Sequence, residues 1–518
     1  MPGTATAGAT HRGLVLAGVM GAVFLGAMES TVVATAMPTV VASLGGIRIY
    51  SWVFSGFLLA STVTMPIWGR LADLIGRRRT YLAGFALFLV GSALSGFAQS
   101  MGQLIAFRAV QGLGAGSLIT LGMTIIGDLY DLERRAKMQG YFSGVWGVAS
   151  LVGPLLGGFL ADTVSWRWVF YINVPFGLLA AGAIGCGLRG EGRSPRPVVF
   201  DHAGTLLFAG AISALLMGLV EAGRGASWTQ GSVLALLAAS AVLLAGFLLV
   251  ERGAAEPLIP LGLFANPMVR AASATGFLSG MAMFGAIAYI PLFLQAVIGS
   301  TATQAGFVLT PFILGWVAFS ILGARLVLRV GYRGVVLAGM AVLTLGFLLF
   351  AGWSASLTRL TAARDIVLAG IGMGLVFVPM LIAVQNAVPR PLLGSATSVV
   401  SFFRSIGGTV GVAVMGAVMA HRLHTELAGL LAAAPPPLQE GLRRVVEHPD
   451  LIVNPMSRAG LGAEVLLQMR PAMASAVGGV FTVGLAVCVA ALASAFLVPA
   501  GQAKDLAVAQ EPAAPSGP

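Results

Sequence analysis

Charged side chains inside long apolar stretches are the residues of this sequence whose chemistry is most evident. Glu29 lies in the first stretch, Arg108 in the fourth and Arg404 in the thirteenth. A charge at the centre of a lipid bilayer costs roughly 2.5–3.5 kcal/mol on insertion scales, so it should face a cavity or a partner. Intramembrane carboxyls of this kind act as proton relays. Glu29 is therefore a candidate proton carrier, and Arg108 is a cation that can tune it.

Each of these charges also has a structural interpretation. Glu29 could lie near the outer end of its helix and pair with Arg48. Arg108 could extend its guanidinium to the outer interface. For Arg404 the sequence offers no partner, and it favours neither a functional nor a structural role.

The loop after the second apolar stretch combines two glycines, which permit a tight turn, with an aspartate and several arginines. Asp73 can cap a helix N-terminus or pair with a nearby arginine. Asp128, at the cytoplasmic end of the fourth predicted span, is a candidate partner for Arg70 or Arg77. We expect such pairs to hold two halves of the protein together when one side is closed. The plainer alternative is that the arginines only set the topology. The predicted gating residues are Gly69, Arg70, Asp73, Gly76, Arg77 and Asp128.

The composition requires that membrane-spanning helices position these residues. Apolar side chains make up 57% of the 518 residues and charged ones 9%, whereas roughly a quarter of the residues of a soluble protein are charged. A transmembrane helix needs roughly 20 mostly apolar residues, and barrel strands would show alternation instead. The fourteen predicted spans are residues 13–36, 50–68, 80–99, 102–127, 139–162, 168–188, 203–223, 231–250, 269–295, 304–323, 335–353, 365–388, 395–420 and 472–498.

The arginines indicate the orientation of these spans. With residues 1–12 in the cytoplasm, most arginines of the short loops fall on the inside, as the positive-inside rule requires. We therefore predict a multi-pass protein of the bacterial cytoplasmic (inner) membrane with both termini cytoplasmic. Residues 421–471 form one long, partly helical outward connection, and residues 499–518 form a disordered cytoplasmic tail.

The chain contains an internal repeat. The loop at residues 324–333 has the appearance of a decayed copy of the loop at residues 69–79. Residues 13–188 and 269–498 would then be two six-helix halves related by an axis along the membrane normal. Residues 189–268 form the linker, with spans 7 and 8 as an inserted pair.

The sequence resembles the major facilitator superfamily, and within it the 14-span drug:proton antiporters. The resemblance covers nearly the whole chain and is carried by five motifs in the family's order: Met28–Pro38, where Glu29 replaces the usual Asp, Gly69–Arg79, Arg108–Gly114, Gly147–Gly158 and Trp166–Pro175. It implies an all-α integral membrane fold of fourteen helices and a proton role for Glu29 and Arg108. It also implies an antiporter motif in the fifth span, formed by Gly147, Gly153, Pro154, Gly157 and Gly158, for which ordinary helix packing is the alternative.

The resemblance further implies a central cavity with a lipophilic, loosely specified substrate. Met and aromatic side chains suit lipophilic ligands, and aromatic faces suit cations. The predicted cavity residues are Met28, Trp52, Phe54, Gln111, Trp146, Tyr289, Gln295, Phe402 and Arg404.

These expectations favour a proton-coupled multidrug exporter that works as a monomer, with protons, lipophilic small molecules and membrane lipids as its partners. An exporter of one dedicated lipid, antibiotic or metabolite is the first alternative, and a membrane scaffold that has lost transport is the second. Because no histidine falls inside a predicted span and no metal cluster or phosphate loop is visible, we expect no enzyme activity, no cofactor, no metal and no nucleic acid.

Overall fold

The computed structural model describes residues 11–44, 52–130, 132–188, 201–223, 228–254, 256–300, 302–447 and 463–501, and these are nearly all helical. Short 3-10 helices at Leu261–Ala265 and Arg390–Leu392 precede two of the long helices. The helices are α1 (Arg12–Leu44), α2 (Trp52–Ile75), α3 (Arg77–Phe97), α4 (Met101–Leu129), α5 (Leu132–Thr163), α6 (Trp168–Tyr171), α7 (Asn173–Gly187), α8 (His202–Gly223), α9 (Gly231–Gly253), α10 (Pro267–Ala296), α11 (Ala302–Ala351), α12 (Arg359–Ala387), α13 (Leu393–Ala433), α14 (Pro436–Glu447) and α15 (Ala463–Ala495).

The span count agrees with the prediction. Twelve helical segments of the described residues are long and apolar enough to cross a membrane. One of them, Phe307–Ala351, is divided by Gly331, whose φ of 81° is not helical. The 32-residue helix α5 adds another candidate. With α5 counted, the described helices are consistent with fourteen spans, and the predicted all-α membrane class is confirmed.

Two hydrophobic cores correspond to the two halves. One core is formed by α1 to α7 and includes Val23, Phe85 and Leu121. The other is formed by α10 to α15 and includes Phe293 and Met340. The inserted helices α8 and α9 pack mainly on each other, and α8 also contacts α2 and α13. The insertion therefore lies beside the junction of the halves.

The loop repeat has the same backbone geometry in both halves. Gly76 has φ 93° and Gly331 has φ 81°, and both occupy the same position of the repeat. Non-glycine residues avoid this left-handed region because of their Cβ. We call the end of the bundle where α2 ends and α13 begins the Asp73 end.

Helix packing repeats as well. A Cβ on Gly112 of α4 would clash with the carbonyl oxygen of Phe57, and a Cβ on Gly370 of α12 would clash with that of Phe312. Phe57 and Phe312 each lie twelve residues before the loop repeat. The close approach of α4 to α2 thus recurs between α12 and α11, which supports a duplicated six-helix unit.

Several predicted segments differ from the observed helices or lie outside the described residues. Helix α13 continues to Ala433, well beyond the predicted end of its span at residue 420, and α14 follows at once. Helix α12 begins at Arg359, before the predicted start at residue 365. Residues 1–10, Arg48, residues 189–200, 448–462 and 502–518 lie outside the described part of the chain.

Candidate functional site

The first group of predicted residues meets in the middle of the N-terminal half. Arg108 of α4 donates from Nη1 to Glu29 Oε1 of α1, and to Gln111 Oε1 at 2.7 Å. Asn173, the first residue of α7, donates from Nδ2 to Glu29 Oε2 at 2.6 Å. Glu29 is 0% and Arg108 1% exposed. Two charges this deeply buried are tolerated when each satisfies the other and further donors fill the remaining lone pairs, as here.

Apolar rings and a second helix complete the surroundings of Arg108. Its Cζ lies 4.1 Å from the centre of the Phe57 ring and 5.8 Å from that of Phe170. Its Nε donates to the carbonyl oxygen of Val53 on α2 at 3.3 Å. The pair is therefore shielded from water and touches α2, the helix that carries Asp73 at its other end.

Sequence reasoning named Glu29, Arg108 and Gln111 but missed Asn173. This residue follows the one-residue break between α6 and α7 at Ile172, and its Nδ2 also donates to Ser92 Oγ at 3.0 Å. The signal that could have identified it is its place in the Trp166–Pro175 motif, where it is the one neutral amide. Glu29 pairs with Arg108, and Arg48 lies outside the described residues.

The second group lies at the Asp73 end and joins the two halves. Asp73 accepts hydrogen bonds from the backbone nitrogen of Gly394 at 3.1 Å, and from both the backbone nitrogen and Oγ of Ser395 at 2.7 Å. Gly394 and Ser395 are in the first turn of α13, whose N-terminus attracts anions. A carboxylate of one half thus caps a helix of the other.

Arg77 links this cap to the end of α4. It donates from Nη1 to Asp73 Oδ1 and from Nε to Asp128 Oδ2, the latter at 2.8 Å. Arg70 instead pairs with Glu256, at the start of the segment that leads to α10. Of the two partners offered for Asp128, the structure therefore selects Arg77.

Two glycines allow this approach. A Cβ on Gly69 would clash with Ser398 Oγ, and a Cβ on Gly394 would lie 2.7 Å from the carbonyl oxygen of Gly69. Gly76 provides the left-handed turn before α3. All six predicted gating residues thus lie at the Asp73 end, and Ser395 is the partner that sequence reasoning missed.

The glycine-rich motif of α5 divides between the two neighbours of that helix. A Cβ on Gly147 would lie 3.1 Å from Ile313 and Val317 of α11, whereas one on Gly153 would clash with Thr31 of α1. Gly157 is buried, and Gly158 has no heavy atom within 4 Å of the position of a Cβ. Pro154 lies inside the helix. Helix α5 therefore contacts Thr31, two residues after Glu29, and also the C-terminal half.

The predicted cavity residues do not form one group. Met28 is buried beside Glu29, and Trp52 and Phe54 are half-buried at the start of α2. Tyr289 donates from its hydroxyl to the carbonyl oxygen of Val412 at 3.1 Å, so it ties α10 to α13, and Gln295 is half-buried near the end of α10.

A row of rings connects the two halves. Trp146 of α5 lies 5.4 Å from Trp316 of α11, which lies 6.1 Å from Phe377 of α12. The guanidinium of Arg404 is 4.2 Å from the centre of the Phe377 ring. The structure therefore places Trp146 and Arg404 at opposite ends of one aromatic row, of which Trp316 and Phe377 were not predicted.

The assignment of Phe402 to the cavity wall needs correction. Its ring packs 5.1 Å from Phe208 of the inserted helix α8 and 5.7 Å from Phe403. Phe402 is 5% exposed and belongs to the cluster formed with the inserted pair. Phe402 and Arg404 are two positions apart on α13, and on a helix this directs their side chains to nearly opposite sides.

Comparison with known proteins agrees with this architecture. The family model of the Major Facilitator Superfamily matches residues 19–412. The chain is 36% identical over 410 residues to the multidrug transporter protein MdtP of Bacillus subtilis, covering 79% of this chain and 76% of that protein. It is 34% identical over 482 residues to multidrug resistance protein 3 of the same organism, covering 93% of this chain and 94% of the relative.

The solved structure of the proton:xylose symporter XylE has a TM-score of 0.58 to this chain and 13% sequence identity, and the match covers 95% of this chain and 96% of the symporter. That likeness shows the fold. Together with the family match and the two relatives, it shows that this chain belongs to the major facilitator superfamily and is a multi-pass membrane transporter.

Proposed function

We propose that the protein is a proton-coupled antiporter that exports lipophilic small molecules, cationic ones among them, across the bacterial cytoplasmic membrane by alternating access. The observation that carries this proposal is the buried contact of Glu29 with Arg108 and Asn173. A carboxylate without exposure to water must be able to change its charge to be useful in a transport cycle, and a proton is the ion that neutralises it. One chain supplies both halves, so the proposed unit is a monomer.

Protonation of Glu29 would alter Arg108 directly. The guanidinium keeps its charge, because arginine is not deprotonated in proteins. It would then lose its counter-ion and need other acceptors or water. Because Arg108 Nε also donates to the Val53 carbonyl oxygen, a movement of Arg108 towards new acceptors would change its contact with α2. Proton binding in the membrane would thereby bias the helix that carries Asp73.

The Asp73 end supplies the two-state element that such a bias needs. In the described conformation Asp73 caps α13, so the halves are closed at this end. We assign this end to the cytoplasm, as the arginine distribution predicts. The described conformation is then closed to the cytoplasm, and the inward-facing state requires that the contacts of Asp73 with Gly394 and Ser395 break.

Coupling has an electrical consequence that depends on the cargo. Exchange of one proton for one monovalent cation moves no net charge. Exchange for a neutral molecule moves one charge, and the membrane potential then contributes about 2.3 kcal/mol per 100 mV. A neutral cargo should therefore respond to an imposed potential, and a monovalent cation should not.

The decisive experiment compares Glu29→Gln with the parent in proteoliposomes under an imposed pH gradient, with ethidium as the cationic probe. Glu440→Gln is the matched control, because Glu440 is an exposed acid paired with Arg444 on α14. We expect the control to transport like the parent and Glu29→Gln to lose the response to the pH gradient. Equal gradient-driven transport by all three proteins would remove Glu29 from the mechanism.

A further inference from the structure

Arg404 is a cation whose charge is not matched by the part of the protein that the structure describes. Its Nε is buried and meets no hydrogen-bond acceptor among the described residues. Its guanidinium makes a cation–π contact with the ring of Phe377. Arg404 lies ten residues after Gly394 on α13, which places it about 15 Å from the Asp73 end and inside the predicted thirteenth span. A guanidinium in such a place needs an acceptor.

The buried acids of the described residues are engaged elsewhere. Glu29 pairs with Arg108, Asp73 with Arg77 and Asp365 with Arg364. Glu251 accepts from the backbone nitrogen of Ile259. The charge of Arg404 is therefore available to a molecule that enters from outside the protein.

The neighbours of Arg404 add a second donor and flat apolar surfaces. The indole nitrogen of Trp316 is buried and also has no acceptor among the described residues. The Trp316 and Arg404 side chains both contact the ring of Phe377, and the Trp316 and Phe377 rings are nearly perpendicular with 6.1 Å between their centres. Two unmatched donors beside aromatic rings suit a planar ligand that carries a negative charge or strong acceptor.

A small cavity adjoins the guanidinium. Its volume is about 20 Å³, which is room for about one water molecule. It is lined by Arg404, Phe377, Met380, Leu381, Ser279 and Ser401. The hydroxyls of Ser279 and Ser401 donate within their own helices, to Gly276 and Thr397. The guanidinium is therefore the cavity's strong donor, and in this conformation no cargo fits beside it.

Two side chains that line this cavity, Leu381 and Phe377, lie at the interface between the halves. Leu381 is part of the N-terminal core although it lies on α12, and Phe377 packs against that core as well as its own. When the halves separate at the Asp73 end, both side chains lose that cover. The cavity would then widen in the inward-facing state and shrink in the outward-facing one, which is the order that uptake and release by an exporter require.

We propose that Arg404, with Phe377 and Trp316, binds the anionic group of a planar aromatic acid that the protein exports. This inference rests on the proposed export function and narrows its cargo to include lipophilic aromatic anions. The acid's negative oxygens would accept from Arg404, while its ring would pack beside Phe377 in the widened cavity.

The test uses the purified full chain in phosphatidylcholine nanodiscs with 2-naphthoate and its neutral isostere 2-naphthamide, whose binding is read from naphthalene fluorescence. We expect the parent to prefer naphthoate. Arg404→Gln should weaken naphthoate binding about 10- to 100-fold and naphthamide binding less than about twofold. Arg404→Lys should retain part of the preference, since it keeps the charge but not the planar fork. The matched control is Arg359→Gln, at an exposed arginine of the same half, and it should bind both probes like the parent.

Five outcomes are decisive. Equal loss of both probes in Arg404→Gln, or no preference in the parent, would overturn the proposal, and melting temperatures of the variants show whether they are folded. Competition by added phosphatidylglycerol would assign the site to a lipid headgroup instead of cargo and also overturn it. Arg404-dependent naphthoate binding without gradient-driven ethidium transport would support the site while rejecting proton-coupled export. Gradient-driven ethidium transport with no Arg404-dependent naphthoate binding would reject the anion site while supporting proton-coupled export.

Discussion

Replacing Asp73 with asparagine should shift the protein towards the state that is open at the Asp73 end. Asp73 accepts three hydrogen bonds from Gly394 and Ser395, at 2.7 to 3.1 Å, and its charge faces the N-terminus of α13. Asparagine has nearly the same shape but is neutral, and its amide group places a donor where an acceptor is needed. The variant therefore weakens the contact between the halves without creating a cavity.

The size of the shift follows from these contacts. A hydrogen bond to a charged group contributes about 1.5–3 kcal/mol and one between neutral groups about 0.5–1.5 kcal/mol. If each of two backbone donors loses about 1–1.5 kcal/mol, the closed state is destabilised by about 2–3 kcal/mol. That free energy changes the ratio of closed to open molecules by about 100-fold.

Distances between spin labels measure this ratio. Labels at Arg79 and Arg390 lie in different halves at the Asp73 end, and both side chains are exposed. The exposed cysteine, Cys186, is first replaced by serine, whereas Cys488 is buried. In Asp73→Asn the distribution of label distances should shift to longer values, with a second peak at a longer distance.

Glu256→Gln is the matched control, because it removes a different ion pair at this end, that of Glu256 with Arg70. The Glu256 side chain is 44% exposed, and such pairs contribute at most about 1 kcal/mol. The control should therefore leave the distribution close to that of the parent. An unchanged distance distribution in Asp73→Asn would refute the claim that Asp73 holds the halves together. An equally strong opening in Glu256→Gln would refute it as well.

Two further predictions concern the polar network and the repeat. Asn173→Ala removes one donor to Glu29 and so destabilises the ionised carboxylate. The pH of half-maximal proton-driven transport in proteoliposomes should rise by about 1–2 units, and a fall would contradict the assigned contact. Gly331→Ala forces alanine to φ 81° and should cost about 1–2 kcal/mol, seen as a lower melting temperature. Gly182→Ala, in an open helical position of α7, should not lower it, and equal melting temperatures would argue against strain at Gly331.

The sequence predicted the membrane class, the number of spans and several contacts, because these depend on hydropathy and on motif order. The apolar stretches alone determine where a helix must cross, and the loop repeat indicates two halves. Helix ends were less predictable. Helix α13 runs to Ala433 because no proline follows until Pro435, so the helix does not end where the apolar stretch does.

Side-chain partners could not be read from the sequence with the same success. Glu29 and Arg108 are 79 positions apart, and only the packing of α1 on α4 brings them together. Asp365 was overlooked because it lies at the predicted start of a span, yet it is 2% exposed and accepts from the indole nitrogen of Trp353 at 3.0 Å. Phe402 was assigned to the cavity wall together with Arg404, although two positions along a helix direct side chains to nearly opposite sides, and its ring packs on Phe208.

The loop repeat keeps its backbone but differs in the chemistry of its contacts. After Gly76, Arg77 reaches the carboxylate of Asp128 at the end of α4, whereas after Gly331 the hydroxyl of Tyr332 accepts from Asn386 at the end of α12, at 2.7 Å. Ions in solution screen the first contact only weakly, because Arg77 and Asp128 are largely buried, and they do not screen the second, which joins neutral groups. An effect of ionic strength on these two contacts therefore falls on the N-terminal half, because the matching contact of the C-terminal half carries no charge.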